Sequence, residues 1–389
     1  MNLNHNSKLP NLKTTIFTVI GKLARKHDAI NLSQGFPNFP ADPNLIGLVN
    51  KAMKEGHNQY APLAGVFDLR ETLCEKMNRL YGSDYHPETD ITLTAGATQA
   101  IFTAISAFIK KDDEVIVFKP AYDCYEPAIE LNGGKPVLIQ IKAPEYQINW
   151  EEVKQKITPK TKMVLINTPH NPSGKMLSEN DMQTLESLLD GTDILLLSDE
   201  VYEHITFDGK QHQSAAKFPK LAERALITYS FGKTFHVTGW KMGYCVAPKI
   251  LMQEFQKVHQ YNVFCVNHPI QIALNKYLQK PEHYLKLSEF YQQKRDLFLN
   301  LIKGSRFEYT PSEGTYFQLL DFSKITQEHD LAFTERLIKD HKLAAIPVSG
   351  FSINEQPARS LVGDDKMLRF CFAKTDETLK KAAEIICEI

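Results

Sequence analysis

Short β-rich runs alternate with amphipathic stretches between about residues 90 and 248, and few folds are compatible with that alternation. It is typical of βαβ units, in which helices join parallel strands and cover both faces of one sheet. The interpretation therefore is a large α/β domain with a mostly parallel sheet. Predicted strands are 114–118, 136–141, 163–167, 194–198, 225–230 and 243–247, and predicted helices include 98–109 and 178–189.

After residue 249 the pattern changes to longer helical segments, followed by a second set of strands and helices. We predict an N-terminal segment 1–44 that packs with a small domain, a large domain 45–285, and a small C-terminal α+β domain 286–389. The predicted helices are 250–260, 268–278, 281–302, 331–340 and 377–387, and the predicted strands are 314–320, 343–347 and 367–373.

The charged residues nearly balance, with 45 Lys and Arg against 46 Asp and Glu. A formal net charge of −1 gives no overall attraction to phosphate backbones or anionic membranes, so we expect no nucleic-acid partner. No run approaches the roughly 18 to 20 apolar residues of a membrane span, and the first ten residues hold no apolar secretory core. The six cysteines form no C-x-x-C pair, which predicts reduced thiols and no metal site. We therefore expect a cytoplasmic protein without a membrane partner.

The motif S-F-G-K-T at 230–234 begins where a predicted strand ends. In open α/β sheets, ligands lie at the carboxyl ends of the strands. Lys233, held there beside a second cation at Lys241, would have its ammonium form disfavoured and its amine available for Schiff-base chemistry. A solvated loop lysine is the alternative interpretation.

An acid pair, Asp199 and Glu200, directly follows the apolar run 194–197. A carboxylate at a strand end suits a fixed ionic partner for a protonated ring nitrogen, and Tyr202 would place a phenol nearby. An acidic helix start explains the same pattern equally well.

Two further turns favour ligand binding. The segment T-P-H-N-P at 168–172 has two prolines that enforce an extended, tightly turned backbone, which would position Asn171. An ordinary connecting loop is the alternative. The segment T-A-G-A-T-Q-A at 94–100 opens a predicted helix, whose free N–H groups and dipole favour a phosphate. No G-x-G-x-x-G or Walker A spacing is present, which argues against dinucleotide and nucleoside triphosphate binding.

In their order and composition these four segments resemble the class I pyridoxal-phosphate aminotransferases of fold type I. The similarity runs from 30–37 (I-N-L-S-Q-G-F-P) to 368–372 (L-R-F-C-F), and so covers nearly the whole chain. It implies a mostly parallel seven-stranded sheet between helices, a smaller α+β domain, and pyridoxal 5'-phosphate as cofactor. The segments 58–62 (N-Q-Y-A-P) and 122–127 (Y-D-C-Y-E-P) are most similar to the branch of methionine and kynurenine aminotransferases, the latter also called glutamine transaminase K.

The resemblance implies catalytic roles for Lys233, Asp199 and Tyr202. Lys233 would form the Schiff base with the cofactor and later shuttle the α-proton. Asp199 would pair with the pyridinium nitrogen and so keep the ring an electron sink. Asn171 and Tyr202 would hydrogen-bond the phenolic oxygen of the ring, and Tyr122 would stack on its face.

The same resemblance assigns the phosphate and substrate contacts. Tyr60 would reach a phosphate across the interface of a homodimer with shared active sites. Arg369 would bind the substrate α-carboxylate through both of its terminal nitrogens, assisted by Gly35 and Asn171. The remaining expected contacts are Gly96, Ala97, Thr98, Ser230 and Lys241 at the cofactor phosphate and Phe17, Phe264 and Phe351 around the substrate side chain.

An aromatic, apolar pocket favours methionine, Phe, Tyr, Trp, Leu, Gln or kynurenine over aspartate, because burying an unpaired carboxylate is costly. The expected activity is transfer of the amino group of such amino acids to a 2-oxo acid. Two alternatives remain: a cysteine-S-conjugate β-lyase on the same fold, and a non-catalytic binding protein that has kept the fold.

Overall fold

Seven strands form the largest sheet of the computed structural model, which describes residues 6–10, 12–351 and 366–389. The strand order is β2-β8-β7-β6-β5-β3-β4; β8 is antiparallel to both of its neighbours, and the other pairs are parallel. The strands are β1 Ile30–Asn31, β2 Ile91–Thr94, β3 Glu114–Lys119, β4 Lys135–Gln140, β5 Thr161–Asn167, β6 Leu195–Asp199, β7 Ala225–Ser230, β8 Gly243–Val246, β9 Phe317–Asp321, β10 Leu343–Ala344, β11 Ile346–Pro347 and β12 Met367–Cys371.

Helices cover both faces of this sheet because its central strands are apolar on both sides. Leu196 and Leu197, adjacent on β6, illustrate this, since they lie in two different hydrophobic clusters. The helices are α1 Ile16–Lys26, α2 Pro43–Lys54, α3 Phe67–Tyr81, α4 Ala97–Phe108, α5 Tyr125–Leu131, α6 Trp150–Lys156, α7 Glu179–Leu189, α8 Pro219–Ala222, α9 Phe231–Thr234, α10 Lys249–Asn262, α11 His268–Leu278, α12 Glu282–Leu285, α13 Leu287–Leu301, α14 Asp330–His341 and α15 Asp376–Glu388. The cluster that contains Leu197 includes residues of α4, α5 and α10, and the other includes residues of α3, α7 and α11.

The C-terminal part holds a three-stranded antiparallel sheet in the order β11-β12-β9. The N-terminal segment contacts this part, because α1 packs on α14 and β1 pairs in parallel with β10. The domain boundaries at 44 and 285 stay predictions, and residues 1–5, 11 and 352–365 of those predicted domains lie outside the described residues.

The predicted α/β fold is confirmed, with three local corrections. Strand β2 was not predicted, because it is a four-residue strand at the edge of the sheet. The predicted strand 343–347 is two strands that belong to different sheets, β10 and β11. The predicted helix 281–302 is divided at Lys286 into α12 and α13. Within the described ranges, no helix combines the length and apolar character needed to cross a membrane.

Candidate active site

A cavity of about 390 Å³ lies where the carboxyl ends of β5, β6 and β7 meet residues of the N-terminal and C-terminal segments. It brings together most of the residues singled out in the sequence, although they come from separate turns. The predicted site residues that line it are Phe17, Gly35, Gly96, Ala97, Thr98, Tyr122, Asn171, Asp199, Tyr202, Ser230, Lys233, Lys241 and Arg369.

Lys233 lies in the short helix α9, directly after β7, and its side chain points into the cavity. Its Nζ is 3.4 Å from the main-chain oxygen of Gly35. Burial lowers the pKa of Lys233 from 10.5 to about 8, and the positive charge of Arg369 acts in the same direction. A substantial fraction of this amine is therefore neutral, and nucleophilic, in mildly alkaline solution.

Asp199 is the last residue of β6 and is almost fully buried. Burial raises the pKa of its carboxyl to about 6, against the opposing effect of the Tyr125 hydroxyl, which donates a hydrogen bond of 2.6 Å to Oδ2. No lysine or arginine of the described residues forms an ion pair with Asp199. A buried carboxylate without a cation is a suitable partner for a protonated ring nitrogen.

Asn171 occupies the turn after β5, and two hydrogen bonds hold it there. Its main-chain N–H donates to Asn167 Oδ1 at 2.8 Å, and its Oδ1 accepts from an Nη of Arg369 at 2.7 Å. Tyr202 is also buried beside the cavity, and burial raises the pKa of its phenol. Both side chains therefore have defined positions on the Lys233 side of the cavity.

An anion cradle is formed at the N-terminus of the twelve-residue helix α4. Gly96 precedes the helix with φ of +79°, and a methyl group on it would lie 3.4 Å from Nζ of Lys241. Gly243 packs more closely still, since a methyl group there would lie 2.6 Å from the main-chain oxygen of Tyr229 and 3.0 Å from the nitrogen of Ala97. The free N–H groups of the first helical turn and the ammonium of Lys241 thus point at one place, as phosphate binding requires.

Arg369 lies on β12, and its side chain is buried among aromatic rings. Its guanidinium carbon is 3.8 Å from the ring centre of Phe317, 5.0 Å from that of Phe351 and 5.4 Å from that of Phe17. A second Nη donates to the main-chain oxygen of Ser33 at 2.9 Å, and Nε has no hydrogen-bond partner among the described residues. Burial lowers the pKa of Arg369 to about 10, so the side chain stays charged at neutral pH and can bind a carboxylate.

Three predicted residues do not line the cavity. Phe351 lies behind it, against Phe17. Tyr60 and Phe264 form an edge-to-face ring pair, with centroids 5.3 Å apart, on the surface of the single chain. Tyr60 is 82% exposed and does not line the cavity of the single chain.

Three residues that the sequence analysis gave no role also shape the cavity. Tyr125 orients Asp199, and Phe317 stacks on Arg369. Asp123 lines the cavity, and burial raises the pKa of its carboxyl. The sequence feature that points to Asp123 and Tyr125 is the segment 122–127, which resembles one branch of the family. For Phe317 the sequence offers only a predicted strand.

The donor set fits pyridoxal 5'-phosphate. It offers an amine at Lys233, a carboxylate at Asp199 that forms no ion pair with a lysine or arginine of the described residues, and an anion cradle at Gly96 and Lys241. Side-chain clusters that could hold a metal ion are absent from the described part of the chain.

The chain belongs to the family of class I and II aminotransferases, whose sequence model matches residues 27–386. Enzymes of this family use pyridoxal 5'-phosphate, so the predicted enzyme class and cofactor are confirmed and the non-catalytic alternative loses its support. The chain is 46% identical to the methionine aminotransferase of Escherichia coli (strain K12), over 97% of this chain and 96% of that protein. It is 33% identical to human kynurenine–oxoglutarate transaminase 3, over 97% of this chain and 89% of the relative.

Solved structures agree with these similarities. The structure of Escherichia coli YbdL, described as having a methionine aminotransferase function, has a TM-score of 0.95 and 45% identity, with all of both chains covered. N-succinyldiaminopimelate aminotransferase from Mycobacterium tuberculosis has a TM-score of 0.93 and 30% identity, over 99% of this chain and 100% of that one. The predicted family and fold type are thereby confirmed.

Proposed function

We propose that this aminotransferase takes the amino group of methionine and other large neutral or aromatic amino acids and passes it to a 2-oxo acid. The supporting observation is the environment of Arg369. It supplies the one guanidinium among the described residues that line the cavity, and the rings of Phe17, Phe317 and Phe351 surround it. Such a pocket offers a carboxylate site next to apolar, aromatic surface, and its described lining holds no second arginine for an acidic side chain.

The proposed residue roles follow from the arrangement of the cavity. Asp199 would hold the ring nitrogen of the cofactor, Asn171 and Tyr202 its phenolic oxygen, and Tyr122 its ring face. The phosphate would be held by Gly96, Ala97, Thr98, Ser230 and Lys241. When bound, pyridoxal phosphate supplies an electron sink for the electrons released at the substrate α-carbon.

The substrate would be oriented by this chain's own groups. Arg369, with Gly35 and Asn171, would fix the α-carboxylate and so define which bond of the α-carbon faces the cofactor. The Lys233 amine, whose pKa is lowered to about 8, would accept the α-proton and return it. The surrounding rings would exclude water from the side-chain pocket.

We also propose a homodimer in which Tyr60 and Phe264 complete the active site of the partner. The exposed ring pair supports this, because large exposed aromatic surface is typical of interfaces. The cytoplasmic location expected from the sequence stays a prediction.

The test is a half-reaction with purified, cofactor-loaded protein. Methionine added without an oxo acid should change the visible absorption of the bound cofactor and release one 2-oxo acid per site, and a second oxo acid should restore the spectrum. If aspartate changes the visible absorption of the bound cofactor and methionine does not, the proposed class of amino donors is wrong. Continuous release of pyruvate and ammonia from a cysteine conjugate, without an added oxo acid, would favour the β-lyase alternative.

A further inference from the structure

A buried ion pair lies outside the cavity and has no role in the chemistry described above. It joins Lys119, the last residue of β3, to Glu126 in α5, and both side chains are at most 4% exposed. The same Nζ of Lys119 also donates a hydrogen bond to the main-chain oxygen of Phe351. Neither Lys119 nor Glu126 lines the cavity.

The bond to Phe351 connects distant parts of the chain, because its partners are 232 residues apart in sequence. Phe351 ends the 3₁₀-helix Val348–Phe351, and its ring is fully buried. That ring lies edge-to-face against the ring of Phe17, with ring centroids 5.5 Å apart. Its centre is 5.0 Å from the guanidinium carbon of Arg369. A lysine on the large sheet thus holds the backbone of a residue whose ring flanks the proposed carboxylate site.

Of the two contacts of Lys119, the bond to the Phe351 carbonyl is the one that indicates a structural role. Burying a lysine and a glutamate is costly, and a buried ion pair is seldom more stabilising than apolar residues of similar volume. Among the described residues, Lys119 alone donates a hydrogen bond to the Phe351 oxygen. Leaving a buried carbonyl without a donor destabilises the folded protein. The ammonium can satisfy both acceptors at once, whereas an apolar side chain would satisfy neither.

We propose that Lys119, oriented by Glu126, is a positioning residue for substrate selection. By fixing the Phe351 backbone, it holds the rings of Phe351 and Phe17 beside Arg369 and keeps the pocket shaped for large side chains. This inference rests on the proposed function. It concerns the fit of the substrate side chain and not the binding of the cofactor.

The test compares methionine with alanine as amino donor, because a single methyl group has much less apolar surface than the methionine side chain to pack against the rings. In the cofactor-loaded Lys119→Met variant, kcat/KM for methionine should fall about tenfold relative to that for alanine, mainly through KM. The visible spectrum of the bound cofactor should match that of the wild type. An unchanged methionine-to-alanine ratio would overturn the proposal.

Two further variants separate positioning from general destabilisation. Glu126→Gln keeps the amine and an amide oxygen that can still accept from it and orient it toward Phe351, so it should retain the wild-type ratio; a loss of selectivity as large as that of Lys119→Met would contradict the role of the carbonyl bond. In the double variant Lys119→Met/Glu126→Leu, both charges of the ion pair are removed together with the bond to Phe351, so the ratio should stay low. Recovery of the ratio would show that the carbonyl bond is dispensable.

The matched control is the second buried lysine pair, Lys76 with Glu203, whose side chains are 5% and 3% exposed. Lys76→Met should lower the melting temperature without changing the methionine-to-alanine ratio, and an equal change in that ratio would attribute the effect to lost stability and overturn the proposal. If the wild-type enzyme itself does not accept methionine, the proposed function fails before any variant is compared.

Discussion

At the residue scale, burial shifts the two principal groups of the site toward their neutral forms. The pKa of Lys233 falls to about 8 and that of Asp199 rises to about 6. Both shifts have the same cause, which is that a buried charge loses its hydration. A neutral Lys233 amine is suited to attack a carbonyl carbon, and the Asp199 carboxyl is suited to pair with a protonated ring nitrogen.

The lowered pKa of Lys233 can be measured by chemical labelling. In cofactor-free protein, the rate of Lys233 acetylation should rise with pH, reach half of its maximum near pH 8 and level off about one pH unit higher, because the neutral amine is the reactive form. In a denatured sample of the same chain, the acetylation rate of the lysines should keep rising with pH up to their ordinary pKa of 10.5. Mass spectrometry of labelled peptides gives both profiles, and coincident profiles would contradict the shift.

The raised pKa of Asp199 predicts an unusual stability profile. Because its folded pKa of about 6 exceeds the ordinary aspartate pKa of 3.8, stability from this group is fully present below about pH 4 and is lost as the pH rises through 6. The cofactor-free Asp199→Asn variant should therefore be more stable than the wild type at pH 7.5, by up to about 3 kcal/mol. Its advantage should grow by about 1 kcal/mol between pH 5 and pH 7.5.

Urea unfolding at the two pH values, with and without pyridoxal phosphate, would test this. Cofactor should stabilise the wild type more than the variant, since the variant lacks the partner for the ring nitrogen. A variant less stable than the wild type at both pH values would contradict the burial argument.

At the element scale, the proposed site is assembled from turns that follow parallel strands. Asn171 follows β5, Asp199 ends β6, and Lys233 follows β7. Neighbouring parallel strands end at one edge of the sheet, so residues far apart in sequence converge there. The N-terminus of α4 adds the anion cradle at the same edge.

Gly96 is the element-scale test of that cradle. Gly96→Ala should weaken binding of pyridoxal phosphate about tenfold or more, because alanine is strained at φ of +79° and its methyl group would lie in contact with Lys241, where the phosphate is expected. Equilibrium dialysis measures the affinity. Gly82→Ala is the control: Gly82 also has a positive φ, at the end of α3, but a methyl group there would contact nothing within 4 Å. It should cost stability and leave cofactor affinity unchanged; equal affinity losses would contradict the cradle.

At the scale of the whole molecule, the cavity requires three parts of the chain. Phe17 comes from α1, Lys233 from the large sheet region and Arg369 from the three-stranded sheet. The exposed ring pair of Tyr60 and Phe264 adds a fourth contribution in the proposed homodimer. In the proposed site, substrate recognition would therefore depend on the assembled chain, and cofactor binding would be concentrated in the large sheet.

The shared site can be tested by mixing two inactive variants. Tyr60→Ala and Lys233→Ala homodimers should each have little activity, because every site in them is defective. Co-expressed chains should form hybrid dimers with one intact site, so that at random pairing about a quarter of all sites are intact. Activity should return to that level after co-expression. No recovery in isolated hybrid dimers would contradict a contribution of Tyr60 to the partner's site.

Local sequence patterns were sufficient for most of the fold and for the cofactor. Periodicity predicted six strands of the large sheet because each is a continuous apolar run bounded by turn residues. The S-F-G-K-T motif and the Asp199 strand end were likewise readable, since each lies within a few residues of sequence. Together with their order, these motifs determined the family.

Tertiary structure decided what depends on distant segments. The four residues of β2 form a strand because β8 pairs with them. Residues 343–347 form two strands because they pair with strands of two different sheets. The stacking of Phe317 on Arg369 and the bond from Lys119 to Phe351 join residues far apart in sequence. The pKa shifts of the site also depend on tertiary structure. Burial results from packing of the whole chain and cannot be predicted from a local sequence pattern.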